Sequence, residues 1–252
     1  MDRKRFKQSF ELDEIPSWHC PTCDSGYLAL PVKQVIMKED ANCIAQYHPW
    51  HNDDPRFSGV FTAILSCNNQ KCREHVIMSG FVRETEEPYE DPEHGWVTSI
   101  VRELRPSMFV PPLRFMEIPA QTPKNVEQAV WSAFKVIWSD PPSCANKVRV
   151  AVELLMDHFK VKKFPRSGPR RAIPLHQRID SDFRAKKPEV ADHLLACKWI
   201  GNEGSHALSC VSFKQALDGL EMLEHVLSVL FEKDAQRLVL LASKINRKKR
   251  PV

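Results

Sequence analysis

The stretch Lys198-Trp-Ile-Gly-Asn-Glu-Gly-Ser-His206 places polar groups where a helical array would normally want apolar ones. If the backbone stays helical, Lys198, Asn202 and His206 follow i, i+4, i+8 spacing and line one face. Gly201 and Gly204 fall between them, and each weakens a helix by roughly 1 kcal/mol relative to alanine. Two glycines in an otherwise strong helix predict that another backbone, or a ligand, packs closely against this turn. The same residues also read as a plain helix end, with a capping asparagine and a satisfied histidine.

Outward from this stretch the pattern is helical in both directions. Val126, Ala129, Val130, Ala133, Phe134 and Ile137 recur at helical spacing and predict a helix from Lys124 that ends before Pro141. Ser143 is a plausible N-cap for a second helix carrying Val148, Val152, Leu155, Met156 and Phe159. A third spans about 175–184, and a fourth runs from Pro188 into the opening stretch. The last starts near Val211, carries Leu217, Leu220, Leu227 and Leu230, and continues through Leu238 and Ile245 to a basic tail. Five helices with short connections imply an antiparallel bundle.

The N-terminal part has a different character. Cys20-Pro-Thr-Cys23 is a Cys-x2-Cys knuckle, and Cys67-Asn-Asn-Gln-Lys-Cys72 is a Cys-x4-Cys partner, with strand-like stretches at 27–37, 60–66 and 75–83. Four thiolates from two such knuckles close a tetrahedron around Zn2+ and leave no position open for catalysis, which makes the metal structural. Sites of this kind contribute on the order of 10–16 kcal/mol of folding free energy. His48 and His51, with Asp53 or Asp54, form a weaker second metal candidate that a polar loop explains equally well. The acidic run at 85–95 reads as a solvated loop. Residues 106–123 carry five prolines and read as a stiff connector. The organisation expected is therefore a zinc-ribbon domain over 1–105 with a long insertion, a Pro-rich connector over 106–123, and a helical bundle over 124–252.

Composition bounds the rest. Thirty-six Lys and Arg against 32 Asp and Glu leave a mild net charge of +4, which does not by itself announce nucleic acid. The N-terminus lacks the apolar core of a secretory signal, and no apolar run approaches the roughly 18 residues of a membrane span. Eight cysteines, half paired at short spacing and half scattered, fit a reducing compartment, so a cytoplasmic protein with no membrane contact is expected.

The knuckles, the Phe109-Val-Pro-Pro-Leu113 connector and the helices ending in Trp199-Ile-Gly-Asn-Glu-Gly-Ser-His206 resemble a bacterial domain, domain-of-unknown-function family 4145, over about 106–232. That family is placed with the HEPN superfamily, which recurs beside restriction–modification and other phage-defence genes. The fold class implied is α+β: a small N-terminal β-rich zinc ribbon followed by an all-α HEPN-like antiparallel helical bundle. Active HEPN proteins are metal-independent endoribonucleases that dimerise to join two Arg-x4-6-His motifs. Carried over by position, His206 becomes the general acid/base and Asn202 the orienting residue. The arginine position is unmatched, since Trp199, Ile200 and Gly201 fill its window, and Lys198 lies one residue beyond. Lys198, or a basic residue from elsewhere, would supply the phosphate clamp as a point charge. Lys162, Lys163, Arg166, Arg170 and Arg171 form a basic loop that would grip a nucleic-acid backbone, RNA in preference to DNA, although such a run is also what a solvated linker looks like. The alternatives are a non-catalytic binding module and an assembly subunit, homodimeric or held by protein partners in a defence complex. Cys144, Cys197 and Cys210 read as small buried hydrophobes.

Overall fold

The computed structural model describes residues 1–12, 14–23, 25–31, 34–46, 56–165, 171–205 and 211–249. The chain divides between Arg114 and Phe115: Asp2–Arg114 forms one compact unit, and Phe115–Val252 with Met1 forms the other.

The first unit is built on an antiparallel sheet. Its strands are β1 (Phe10–Glu11), β2 (Leu28–Ala29), β3 (Val35–Glu39), β4 (Ser58–Cys67), β5 (His75–Asp91) and β6 (Gly95–Val110). They lie in the order β1-β6-β5-β4-β2, with β3 also paired to β4, and the sheet curls into a half-barrel. Alternation along β4 sends Phe61, Ala63 and Leu65 to the core face, where they meet Val76 and Met78 of β5 and Leu104 and Phe109 of β6. Trp18 fills this core, edge-on to Phe10 at 5.4 Å and to Phe109 at 5.1 Å, and its indole N–H donates to Arg5 O at 2.7 Å. A short helix α1 (Ala41–Gln46) buries Cys43.

The second unit is helical: α2 (Lys124–Val136), α3 (Pro141–His158), α4 (Leu175–Arg178), α5 (Pro188–Glu203), α6 (Phe213–Phe231) and α7 (Lys233–Lys248). The buried face of α2 is the one its apolar period picks out. Helix α3 packs against α2, α5 and α6. It is capped by Asp140, which accepts from the Ser143 N–H at 2.9 Å, so Ser143 is the third helical residue rather than the cap. A π-helical turn over Ile179–Phe183 follows α4 directly, and α6 opens with a reciprocal cap between Ser212 and Gln215. No helix among the described residues is long and apolar enough to cross a membrane.

The α+β content stands, but the two architectures expected within it do not. In place of a small zinc ribbon there is a six-stranded sheet whose three long strands run 10, 17 and 16 residues. The acidic run at 85–95 is the far end of a β-hairpin, not a loop, and its turn lies between Asp91 and Gly95. Part of the expected connector is strand: β6 runs through Pro106 to Val110, with the irregularity that proline demands falling opposite Ser79 and Gly80. In place of a five-helix HEPN-like antiparallel bundle, the third helical segment is split between one α-turn and a π-turn. The last pattern breaks at Glu232, where an extended backbone (ψ 129°) separates α6 from α7. Periodicity located the helices but could not see these breaks, because apolar spacing continues across both.

Candidate functional sites

The first candidate is the cysteine cluster. Cys20 and Cys23 lie on the turn before β2, Cys67 closes β4, and Cys72 sits on the turn into β5. Backbone bonds hold the two knuckles: Cys20 N–H to Gly26 O at 2.8 Å, Cys67 N–H to Glu74 O at 2.8 Å and Cys72 N–H to Asn69 O at 2.9 Å. Their four ligand atoms all lie within 4.8 Å of one another. Cys20 and Cys72 sulfurs are 3.8 Å apart and those of Cys23 and Cys67 3.7 Å. A disulfide needs about 2.05 Å. A tetrahedral thiolate site with metal–sulfur bonds near 2.3 Å has sulfur–sulfur edges of about 3.8 Å. The residues fit a four-coordinate metal.

The surroundings are built for thiolates. The Asn69 N–H points at Cys67 Sγ (3.4 Å) and its side-chain amide at Cys23 Sγ (3.7 Å). Gly26 is required, because a Cβ there would lie 2.5 Å from Cys67 Sγ. Desolvation acts to raise the Cys23 thiol, but bonds from Ser25, Gly26, Cys72 and Cys67 outweigh it and bring it down to about 6. Cys67 is pushed up to about 12, chiefly by desolvation and then by its neighbours Cys20 and Cys23, against a lowering bond from Asn69. One sulfur is thus readied as a thiolate, while another keeps its proton until a cation replaces it.

The second candidate is the crossing of α5 on α3. Helix α5 ends at Glu203 with Gly204 as its cap. Helical spacing therefore joins Lys198 to Asn202 but stops before His206, which lies outside the described residues. The close packing expected of the glycines is present: a Cβ on Gly201 would sit 2.4 Å from Arg149 Cβ and 2.7 Å from Ala145 O, and one on Gly204 2.3 Å from Pro142 O. Lys198 is only 5% exposed. Burial, and then the Arg149 charge beside it, push its amine below the usual lysine range. Its Nζ lies 3.1 Å from the Trp199 ring centroid, and Trp199 is largely open, with the His176 ring roughly parallel at 6.1 Å.

Arg149 is the residue that the sequence did not single out. It pairs with Glu153 at 2.8 Å and reaches Asn146 at 3.5 Å, while its buried Nε has no partner. Among the described residues no ion pair reaches Lys198. Arg149 brings a guanidinium charge beside Lys198 from another helix, and no spacing rule connects positions 149 and 198. Ser205 Oγ closes the crossing, 2.8 Å from Gly201 O and 3.0 Å from Asn146 Oδ1.

Of the basic loop, Lys162, Lys163 and Arg171 are exposed, and Ile173 N–H to Lys163 O at 2.9 Å draws the two ends together. Arg166 and Arg170 fall outside the described residues, as do His48, His51, Asp53, Asp54 and Cys210. Cys144 and Cys197 are buried, as read from the sequence, and desolvation raises both thiols.

Residues 8–109 match the family model described as a domain of unknown function (DUF8608), and residues 132–248 match that of a second domain of unknown function (DUF4145). The resemblance to family 4145, expected over about 106–232, is thus supported over 132–248, and neither description carries an activity. No curated protein and no solved structure matches the chain.

Proposed function

We propose that this is a nucleic-acid-binding protein whose helical unit takes RNA phosphates at the α3–α5 crossing, while the sheet unit is held together by a structural Zn2+. The observation that carries the reading is Lys198, a cation buried beside a second cation, with no carboxylate paired to it among the described residues. A desolvated lysine without an anion is costly, and groups perturbed by burial and a like charge concentrate at ligand sites. An anion drawn to Lys198 relieves it, and Arg149, although already paired with Glu153 at 2.8 Å, adds to the positive field there. A phosphodiester suits that position, and the open Trp199 beside it offers a surface for a base. Lys162, Lys163 and Arg171 extend the positive surface for a longer strand.

Asn202, one turn beyond Lys198, is placed to orient a phosphate or ribose oxygen, and His206 is the proposed proton carrier should cleavage occur. Such cleavage would need no metal, since the chemistry is proton transfer plus phosphate clamping. The set of four cysteines supports zinc over harder cations, because thiolates are soft ligands and the edges match a tetrahedron.

The test is the anisotropy of a labelled single-stranded RNA titrated with protein across a salt series. Wild type is expected to bind with a negative log–log salt slope. Lys198→Ala is expected to reduce that slope by about one, the signature of one lost phosphate contact. The same RNA incubated in EDTA, with the fold monitored, reads cleavage, and His206→Ala shows whether that histidine carries it. An unchanged salt slope in Lys198→Ala would remove the phosphate site.

A further inference from the structure

The solvent face of the sheet is not the face of an ordinary half-buried sheet. One side of an antiparallel sheet normally packs on the core and the other alternates to polar residues. Here the register builds apolar rows on the outer side as well. Ile64, Ile77 and Val110 stand side by side across β4, β5 and β6. The next row is Ile36, Thr62, Ser79 and Met108, and the third is Lys38, Val60, Phe81 and Arg105. The large apolar members of these rows are between 43% (Ile64, Ile77) and 64% (Ile36) exposed, and Phe81 is 61% exposed.

The rows end in polar groups. Ser66 Oγ and His75 Nδ1 lie 3.1 Å apart at one end, and the Arg83–Glu103 ion pair (2.6 Å) lies at the other. Large apolar residues around the two small hydroxyls of Thr62 and Ser79, enclosed by a polar rim, have the anatomy of a protein interface. Seven large apolar residues at about half exposure leave on the order of 600 Å² of surface in water. That exceeds the patch of a few hundred Å² that a monomer usually tolerates, and it approaches the ~800 Å² per partner of a standard interface.

We infer that this face is the dimer interface between two copies of the chain. Sheets pack face to face through interdigitating aliphatic side chains, and each copy brings the same three rows. A two-fold contact requires only self-complementarity, and the uncharged centre of the patch demands no partner of opposite charge. The area approaches what each half of such a dimer has to bury. The inference stands apart from the nucleic-acid reading and uses none of its residues.

The experiment is sedimentation and light scattering on the zinc-loaded 252-residue chain over a micromolar concentration series. The expected mass is near twice 29.0 kDa. Phe81→Glu is expected to shift the protein to monomer, raising the dissociation constant at least tenfold. Phe81→Thr, which keeps β-propensity, is expected to weaken the dimer less. Zinc content and far-UV circular dichroism unchanged in both variants tie the effect to the interface and not to folding. A monomeric wild type overturns the inference, as does unaltered association in both Phe81 variants. So does dissociation caused instead by Ile245→Glu on α7, which would place the seam on the helix.

Discussion

The cysteine cluster and the α3–α5 crossing are built alike and need opposite things. In each, a glycine admits a close approach that a Cβ would block: Gly26 toward Cys67 Sγ at 2.5 Å and Gly201 toward Arg149 Cβ at 2.4 Å. In each, groups of one kind are crowded together, four thiols in one case and two cations in the other. The thiols become a stable arrangement only when a cation takes their protons. Of the two cations, Arg149 has Glu153 at 2.8 Å, whereas Lys198 has no carboxylate among the described residues. On the proposed reading, the sign of the crowded groups selects the class of ligand: a soft metal for the sheet unit, a phosphate-like anion for the helical one.

The comparison predicts its largest effect at the metal. Cys67→Ser removes one of four ligands at the end of β4, so zinc stoichiometry should fall from about one to near zero. The sheet unit should lose its cooperative melt, since metal binding and folding are one event in such sites. The helical unit should keep its own transition. Acid should mimic the variant: Cys67 is held up near 12 and must lose its proton on metallation, so apparent zinc affinity rises with pH and falls as acid returns the protons. Elemental analysis alongside calorimetry reads both. A Cys67→Ser protein that keeps its zinc would break the comparison at its firmer end.

The two sites also differ in how far the sequence revealed them. The four clustered cysteines were legible because a short Cys-x2-Cys or Cys-x4-Cys spacing is a local constraint that the chain must honour whatever sheet surrounds it. The sheet was not legible at its true size. Glu84–Asp91 carries the composition of a loop, and its strand state comes from pairing with 95–102, a nonlocal fact. Helix positions followed from period alone, yet the break at Glu232 and the π-turn at Ile179–Phe183 left that period undisturbed. At the second site, Lys198, Asn202 and the two packing glycines could be read along one helix. Arg149 could not, because it enters from a different helix far earlier in the chain, where it looks like one half of an ordinary i, i+4 pair with Glu153.

A smaller effect is expected at the helix crossing itself. Gly201→Ala places a methyl 2.7 Å from the Ala145 carbonyl, a backbone atom that cannot swing aside. Helix α5 must move off α3, at roughly 1–3 kcal/mol, in spite of the higher helix propensity of alanine. Thermal denaturation of the helical unit should show the loss, and RNA affinity should fall with it because Lys198 and Arg149 are drawn apart. A Gly201→Ala protein that is more stable than wild type would mean the two helices are not in contact at this turn.

The smallest expected effect is the most discriminating, because it reverses the usual sign. Lys198 is desolvated and sits beside Arg149, so its folded-state affinity for a proton lies below that of the unfolded chain. The folded protein therefore binds fewer protons than the unfolded one as pH approaches the lysine range, and stability rises with pH there. At neutral pH the unfavourable charge is present in full. Lys198→Met keeps the length and the packing on Trp199 but removes the charge and its cation–π attraction; relief of the desolvated charge should still leave the helical unit more stable by up to roughly 1 kcal/mol while RNA binding weakens. A structural lysine behaves the other way: its replacement lowers stability, and binding changes only as far as folding does. A calorimetric scan and an RNA titration on the same Lys198→Met sample separate the two. Opposite movements of stability and affinity mark a group retained for its ligand, whereas a joint fall would make the crossing a packing feature and leave the cysteine cluster as the one site built around a charge.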